Sequence, residues 1–120
     1  MEQKSILLVD DDKDLLESTE YLLKSKGYET HIANDGLEAI DTYKSVNPCL
    51  VFMDVKMPNM DGIEAFYKIR DIDAAAKVIL VSAYVNDDQE IENAKNNGLL
   101  LLENKPVSIK KLEELIAKYD

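Results

Sequence analysis

Residues 6–12 read ILLVDDD, four apolar residues followed at once by three acidic ones. The apolar part has the length of a β-strand and does not alternate with polar residues, which is typical of a strand covered on both faces. Three similar runs lie at residues 50–53, 78–81 and 99–102. A further segment, residues 28–33, does alternate and predicts a half-exposed edge strand. These five segments predict a parallel sheet between two layers of helices.

The segments between the strands carry inward-facing positions at helical spacing. Asp12 is placed to cap the first helix, Gly27 to end it, and Ser108 to cap the last one. The predicted stripes, helix by helix, are Leu15, Leu16, Thr19, Leu22 and Leu23; Leu37, Ile40 and Tyr43; Ile63, Phe66, Tyr67 and the Arg70 stem; Ile91 and Ala94, in a segment spanning residues 86–97; and Ile109, Leu112, Leu115 and Ile116. This regular alternation predicts an α/β fold with right-handed crossovers.

Length and charge limit the classes of function. The 120 residues predict a single domain over positions 1–120. A net charge of −10 repels phosphate backbones and anionic lipid, so we expect no direct nucleic-acid or membrane-surface binding. The chain has neither a signal-peptide core nor an apolar run of membrane-spanning length, which predicts a cytoplasmic protein. The lone cysteine, Cys49, is predicted to be a small buried side chain at the start of a strand.

Polar side chains follow the apolar runs. Asp10 and Asp11 follow the first of the four continuous runs, and Asp54 follows the second. Ser82 follows the third, and Lys105 comes shortly after the fourth. Because parallel strands point the same way, the residues after their carboxyl ends are expected to share one crevice.

Such a cluster favours phosphoryl chemistry. Two carboxylates about 4 Å apart repel by about 4 kcal/mol at an effective dielectric near 20, so either one of them is protonated or a cation binds. Oxygen ligands select a hard divalent ion, of which Mg²⁺ is the abundant one. A lysine opposite the metal completes a clamp for a phosphoryl group, and a carboxylate such as Asp54 can be the nucleophile. The chain contains no glycine-rich GxxxxGK[ST] phosphate loop.

Taken singly, these residues have simpler explanations. The acidic triplet at residues 10–12 is by itself more typical of a helix N-terminus. Asp54 could open a turn, since residues 57–62 are rich in turn formers. Ser82 and Lys105 alone indicate nothing. Their joint occurrence at one end of different strands is what favours a site.

The chain resembles a response-regulator receiver domain of two-component signalling, similar to chemotaxis receivers. The resemblance runs from Ile6 to about Ile116, on the segments LVDD at residues 8–11, MDVKMPNMDG at 53–62, VSA at 81–83, and Lys105-Pro106. It implies a flavodoxin-like (βα)5 doubly wound fold, whose five-stranded parallel sheet has the order 2-1-3-4-5.

The resemblance also implies roles. Asp54 would accept a phosphoryl group from a phosphohistidine of a sensor histidine kinase or a histidine phosphotransfer protein. Asp11, Asp54 and the Lys56 carbonyl would bind Mg²⁺, and Asp10 would assist through water. Lys105 would pair with Asp54 and later contact the phosphoryl oxygens. The Ser82 hydroxyl would then move to the phosphate and report it to the face formed by the fourth helix, fifth strand and fifth helix.

Three features bear on how this chain would work. Leu102 stands where an aromatic switch residue is usual, and Val107 stands where phenylalanine is common. Leucine cannot make a ring flip, so output through backbone or helix movement is expected. Lys56 and Tyr84 flank the expected mouth of the site and resemble those of phosphorelay intermediates. Residues 99–102 are predicted to form a well-covered strand rather than an exposed apolar surface.

These observations predict a signalling switch that catalyses its own phosphorylation and dephosphorylation and is not a turnover enzyme. A Mg²⁺-dependent phosphatase with an aspartyl-phosphate intermediate is the alternative, but Lys56 occupies the position where such enzymes carry a second carboxylate. A degenerate receiver used for protein interaction alone is disfavoured by the complete acid, hydroxyl and lysine set. Two pairs of alternatives stay open. The chain is either a stand-alone receiver or a fragment of a larger regulator or hybrid kinase, and it is either a monomer or a phosphorylation-dependent dimer.

Overall fold

Five strands and five helices alternate along the chain in a computed structural model that describes residues 4–83 and 89–119. The strands are β1 (Ser5–Val9), β2 (Glu29–Ala33), β3 (Leu50–Asp54), β4 (Val78–Ser82) and β5 (Leu101–Asn104). The helices are α1 (Lys13–Ser25), α2 (Gly36–Val46), α3 (Gly62–Ile72), α4 (Gln89–Asn96) and α5 (Ile109–Tyr119). The strands form one parallel sheet in the order β2-β1-β3-β4-β5, so the predicted fold is confirmed.

Acidic and hydroxyl side chains set the start of the helices. Asp12, Asp35 and Asp61 precede α1, α2 and α3, and each carboxylate accepts the backbone N–H three residues further on, at 3.1, 2.8 and 2.8 Å. Ser108 caps α5 in the same way at 3.1 Å. Gly27 follows α1 with a φ of 96°, which an L-residue with a side chain rarely adopts. The predicted caps at Asp12 and Ser108 and the stop at Gly27 are confirmed.

The inner strands bury side chains on both faces, because successive residues point to opposite sides of a sheet. On one face Leu7, Met53 and Leu80 pack in a cluster with residues of α2, α3 and α4, including the fully buried Phe66. On the other face lies a second cluster, formed by Ile6, Leu8, Leu50, Phe52, Ile79, Leu16, Leu23, Leu112, Leu115 and Ile116. The prediction of strands covered on both faces is thus confirmed for β1, β3 and β4.

The fifth strand differs from its prediction. It begins at Leu101 instead of Leu99 and includes the polar residues Glu103 and Asn104. None of its residues is fully buried, because β5 is the edge of the sheet and pairs with β4 alone. Leu99 is buried in the first cluster, just ahead of the strand. Leu100, Leu101 and Leu102 are partly buried and pack against the two clusters, so this run is not an exposed surface. The predicted strand bounds and the complete covering of the strand are wrong.

Two further predictions of burial are wrong. Leu15, Leu22 and Leu37 belong to the predicted inward stripes but are 46%, 41% and 52% exposed. Apolar stripes of α1 and α2 are wider than the surface that the sheet covers.

Cys49 is exposed, because it precedes β3 at the end of the sheet, where its backbone N–H donates to the Ser5 carbonyl at 2.7 Å.

The α4 helix matches its sparse apolar pattern. Ile91 and Ala94 are its buried residues, as predicted. Gly98 follows with a φ of 101°. Residues 86–88 of the predicted helix lie outside the described part of the chain, as does Tyr84.

Within residues 4–83 and 89–119, no helix combines the length and apolar character needed to cross a membrane.

Candidate functional site

Two buried carboxylates lie at the carboxyl edge of the sheet. Val9 and Met53 are register partners, so the next residues, Asp10 and Asp54, come side by side. They are 6% and 8% exposed. Asp11 is exposed, yet one carboxylate oxygen from each of the three aspartates lies within 4.8 Å of the others. The predicted gathering of these acids is present in the structure.

Lys105 joins the two buried acids. Its Nζ lies 2.6 Å from Asp10 Oδ2 and 3.0 Å from Asp54 Oδ2. Its backbone N–H donates to the Ser82 carbonyl at 2.9 Å, which fixes the chain just past β5, and the Lys105–Pro106 peptide is cis. The pairing expected from the sequence joins Lys105 to Asp54 alone. The contact with Asp10 follows from the sheet order, since β1 and β3 are neighbours and a lysine that reaches one acid reaches both.

The charges of the site depend on one another. Burial raises the pKa of the Asp54 carboxyl, and the hydrogen bond from Lys105 only partly offsets this. Burial disfavours the charged form of Lys105, but the hydrogen bonds to Asp10 and Asp54 outweigh it and raise the pKa of the ammonium. Three carboxylates against one ammonium leave the cluster negative, so it attracts a cation.

The loop between β3 and α3 folds closely over Asp54. The Lys56 backbone N–H faces Asp54 Oδ1 at 3.4 Å, a long hydrogen bond, while the Lys56 side chain is exposed. The Gly62 N–H donates to the Val55 carbonyl at 2.8 Å, and a β-carbon on Gly62 would lie 2.2 Å from the Asp54 carbonyl oxygen. In the sequence, Gly62 is only one of several turn formers over residues 57–62. A glycine directly after the capping residue Asp61 was the available signal.

A second contact braces the same loop. Asn59 has a φ of 69°, and its side-chain amide donates to Asp35 Oδ2 at 3.0 Å. Asp35 also caps α2, so one carboxylate ties the loop to the start of a helix. No local sequence pattern indicates this contact, because the two residues are 24 positions apart.

Ser82 lies at the end of β4, 7% exposed, in register with Asn104. Its neighbour Val81 is the register partner of Asp54, which places Ser82 at the same sheet edge as the acids. The structure thus brings together all five chemistry-bearing residues predicted from the strand ends. Tyr84, predicted beside the mouth, lies outside the described residues.

This arrangement can hold a hard cation and an anion beside it. Carboxylate oxygens in a cluster of this size are the ligands that a divalent ion such as Mg²⁺ prefers. A buried carboxylate beside a metal and an ammonium can attack an electrophile that carries negative oxygens, because both cations neutralise its charge. Phosphoryl groups fit that description.

Comparison with known proteins agrees with this chemistry. The family model of the response regulator receiver domain matches residues 6–117. Sporulation initiation phosphotransferase F of Bacillus subtilis is 34% identical over 119 residues, covering 99% of this chain and 95% of that protein. Regulatory protein AtoC of Escherichia coli is 36% identical over 87 residues, covering 72% of this chain but 19% of that protein.

Solved structures are similar over almost the whole chain. A CheY-like response regulator receiver domain protein from Methanospirillum hungatei superposes with a TM-score of 0.90 at 32% identity, covering 98% of this chain and 93% of that one. Response regulator protein TrrA from Thermotoga maritima, solved in complex with Mg²⁺-BeF, gives a TM-score of 0.84 at 31% identity, covering 98% and 100%.

Proposed function

The chain belongs to the response regulator receiver family, and from that premise we propose that Asp54 accepts a phosphoryl group from a phosphohistidine. Receiver domains are phosphorylation-activated switches of two-component signalling, and this chain is one of them. The observation that carries the proposal is the Lys105 ammonium, which bridges Asp10 and Asp54 at a sheet edge that also holds Asp11. We assign the whole of residues 1–120 to this one domain.

The donor set fits Mg²⁺. Asp10, Asp11 and Asp54 offer hard carboxylate oxygens within reach of one another. We propose Asp11, Asp54 and the Lys56 carbonyl as the direct ligands, with Asp10 assisting through water. When bound, Mg²⁺ neutralises charge on the phosphoryl oxygens and on the acid that attacks them. The TrrA structure with Mg²⁺-BeF supports the assignment by analogy with a relative.

The chain's own groups then carry out the transfer. A carboxylate oxygen of Asp54 forms a bond to phosphorus while the bond from phosphorus to the histidine nitrogen breaks. The electron pair of that bond stays on the imidazole, so no external oxidant or acid is consumed. Lys105, now 3.0 Å from Asp54 Oδ2, donates its hydrogen bond to a phosphoryl oxygen instead. Burial of Asp54 keeps bulk water away from the acyl phosphate that results.

The conformational response to phosphorylation begins at Ser82. Its hydroxyl, on the strand next to Asp54, bonds the new phosphoryl group and couples it to the face of α4, β5 and α5. Leu102 lies in β5, is partly buried and packs against the first core cluster. Because this position carries no ring, the response is a shift of the strand and its helices, acting on a downstream protein or on a second copy of the chain.

Receiver domains interact with histidine kinases or phosphotransfer proteins and with downstream targets. We propose a phosphorelay partner of this kind, because sporulation initiation phosphotransferase F of Bacillus subtilis is similar over 95% of its length. We also propose that the protein acts in the cytoplasm. The net charge of −10 supports a protein partner over a nucleic acid or a membrane surface. Exposed Lys56 beside Asp54 disfavours the phosphatase alternative, since it supplies no second carboxylate.

Intact mass tests the proposal. The wild type and Asp54→Asn are incubated with acetyl phosphate, each with Mg²⁺ and with EDTA. One added phosphoryl group on the wild type in Mg²⁺, and none in the other three samples, is the expected result. A phosphoryl group on folded Asp54→Asn, or no adduct on the wild type even when beryllium fluoride is tested as a stable mimic, would refute the assignment.

A further inference from the structure

An apolar cavity of about 330 Å³ lies beneath the acidic cluster, between α1 and α5. Its walls come from α1, from the ends of β1, β3 and β4, and from α5 with the segment that leads into it. The apolar walls include Leu16, Phe52, Val107 and Leu112. A volume of this size is within the range of sites for small molecules, which are mostly apolar with a few polar groups at one side.

The polar side of the cavity is formed by the candidate site. Asp10, Asp54 and Lys105 line it together with the apolar residues. Both carboxylates are more than nine-tenths buried, and the Lys105 ammonium bridges the pair. Asp11 adds a third carboxylate within 4.8 Å. The polar side therefore repels an anionic head group and stabilises a cationic one.

We propose that this cavity binds a small amphipathic cation, with its apolar body between Leu16 and Val107 and an ammonium or amidinium group against Asp10 and Asp54. The head group shares its carboxylates with the proposed Mg²⁺ site, so the ligand and the metal exclude one another. This regulatory consequence rests on the proposed function, whereas the binding itself does not. Such a ligand holds the receiver in its unphosphorylated state.

Three probes with the same body separate the contributions of charge and apolar burial. We choose 3-phenylpropylamine, 3-phenylpropanol and 3-phenylpropionate, which carry a cationic, a neutral and an anionic head. Each is titrated into ¹⁵N-labelled protein without Mg²⁺, and amide shifts are followed by NMR. The amine is expected to bind at least about tenfold more tightly than the alcohol, because hydrogen bonds to charged groups are the stronger ones. The propionate is expected to bind most weakly.

Paired variants locate the site. Val107→Phe places a ring in the cavity and should weaken amine binding by about tenfold or more. Leu37→Phe adds a ring at a position of α2 that is 52% exposed and does not line the cavity, and should bind as the wild type does. Saturating Mg²⁺ should weaken the amine and leave the alcohol unchanged.

Each contrary outcome has a distinct meaning. Equal binding of the three probes, or shifts away from residues 16 and 107, would overturn the proposal. Wild-type affinity in folded Val107→Phe would overturn it as well. Amine binding by a chain that takes up no phosphoryl group would refute the proposed function and leave the cavity site standing. Phosphorylation without amine binding would refute the cavity site alone.

Discussion

A β-carbon on Gly62 would lie 2.2 Å from the carbonyl oxygen of Asp54, far inside van der Waals contact. The first residue of α3 is thus packed against the backbone of the proposed phosphoryl acceptor. The start of this helix and the position of Asp54 are set by one another.

Gly62→Ala is accordingly expected to displace Asp54 or the start of α3 and to lower both stability and Mg²⁺ affinity. Overpacking of this kind typically costs about 1–3 kcal/mol. Urea unfolding and Mg²⁺ titration by calorimetry measure the two effects. Ile63→Val, at the next position, should leave Mg²⁺ affinity unchanged. Normal Mg²⁺ binding in Gly62→Ala would show that the contact does not position Asp54.

Lys105 competes with a metal ion for Asp10 and Asp54. Lys105→Met removes the ammonium 2.6 and 3.0 Å from these acids and should tighten Mg²⁺ binding about tenfold, as the loss of a nearby like charge implies. Lys44→Met makes the same change of net charge on the exposed surface of α2 and serves as the control. Equal tightening by both variants would assign the effect to overall charge rather than to the bridge.

Asp54 is expected to lower stability when it is ionised. Its raised pKa means that the folded protein holds the proton more tightly than the unfolded chain does. Stability contributed by protonated Asp54 is therefore lost as the pH rises through the interval between its ordinary pKa and its folded-state pKa.

Asp54→Asn removes this ionisation and, without Mg²⁺, should be more stable than the wild type at neutral pH by an amount on the order of 1 kcal/mol. The difference should shrink as the pH falls through the carboxyl range. Thermal unfolding at a series of pH values measures it. A variant less stable than the wild type at pH 7 would show that the bond to Lys105 outweighs burial.

The Ser82 hydroxyl is proposed to report phosphorylation. Ser82→Ala should still take up beryllium fluoride with Mg²⁺ at Asp54, because the acids and Lys105 are intact. The NMR shift changes in α4, β5 and α5 that accompany this adduct in the wild type should be largely lost. Ser25→Ala, a hydroxyl change on exposed α1, is the control. Full shift changes in Ser82→Ala would remove Ser82 from the switch.

Much of the site followed from the sequence, because strand ends in a parallel sheet converge. The apolar runs alone predict Asp10, Asp54 and Ser82 at one edge of the sheet. The burial of side chains is harder to predict at the edge strand and at the ends of the strands. The run at residues 99–102 is as apolar as the others, yet an edge strand has one neighbour and leaves it half covered. Cys49 is exposed rather than buried for a related reason, since it lies just outside the end of the sheet.

The contacts that sequence reasoning missed are long-range or steric. Lys105 and Asp10 are 95 positions apart by number, and only the sheet order brings them to 2.6 Å. The Asn59 amide finds Asp35 because a left-handed residue turns the loop towards α2. The close approach of Gly62 to Asp54 depends on the angle at which α3 leaves the loop. None of these is visible in local periodicity.

Asp54 itself is proposed to carry the phosphoryl group, and reductive trapping identifies the residue that does. The wild type is phosphorylated with acetyl phosphate in Mg²⁺ and treated with borohydride, which converts an aspartyl phosphate to homoserine, and its peptides are sequenced by mass spectrometry. Homoserine is expected at position 54 and nowhere else. Homoserine at Asp10 or Asp11, with position 54 unchanged, would contradict it.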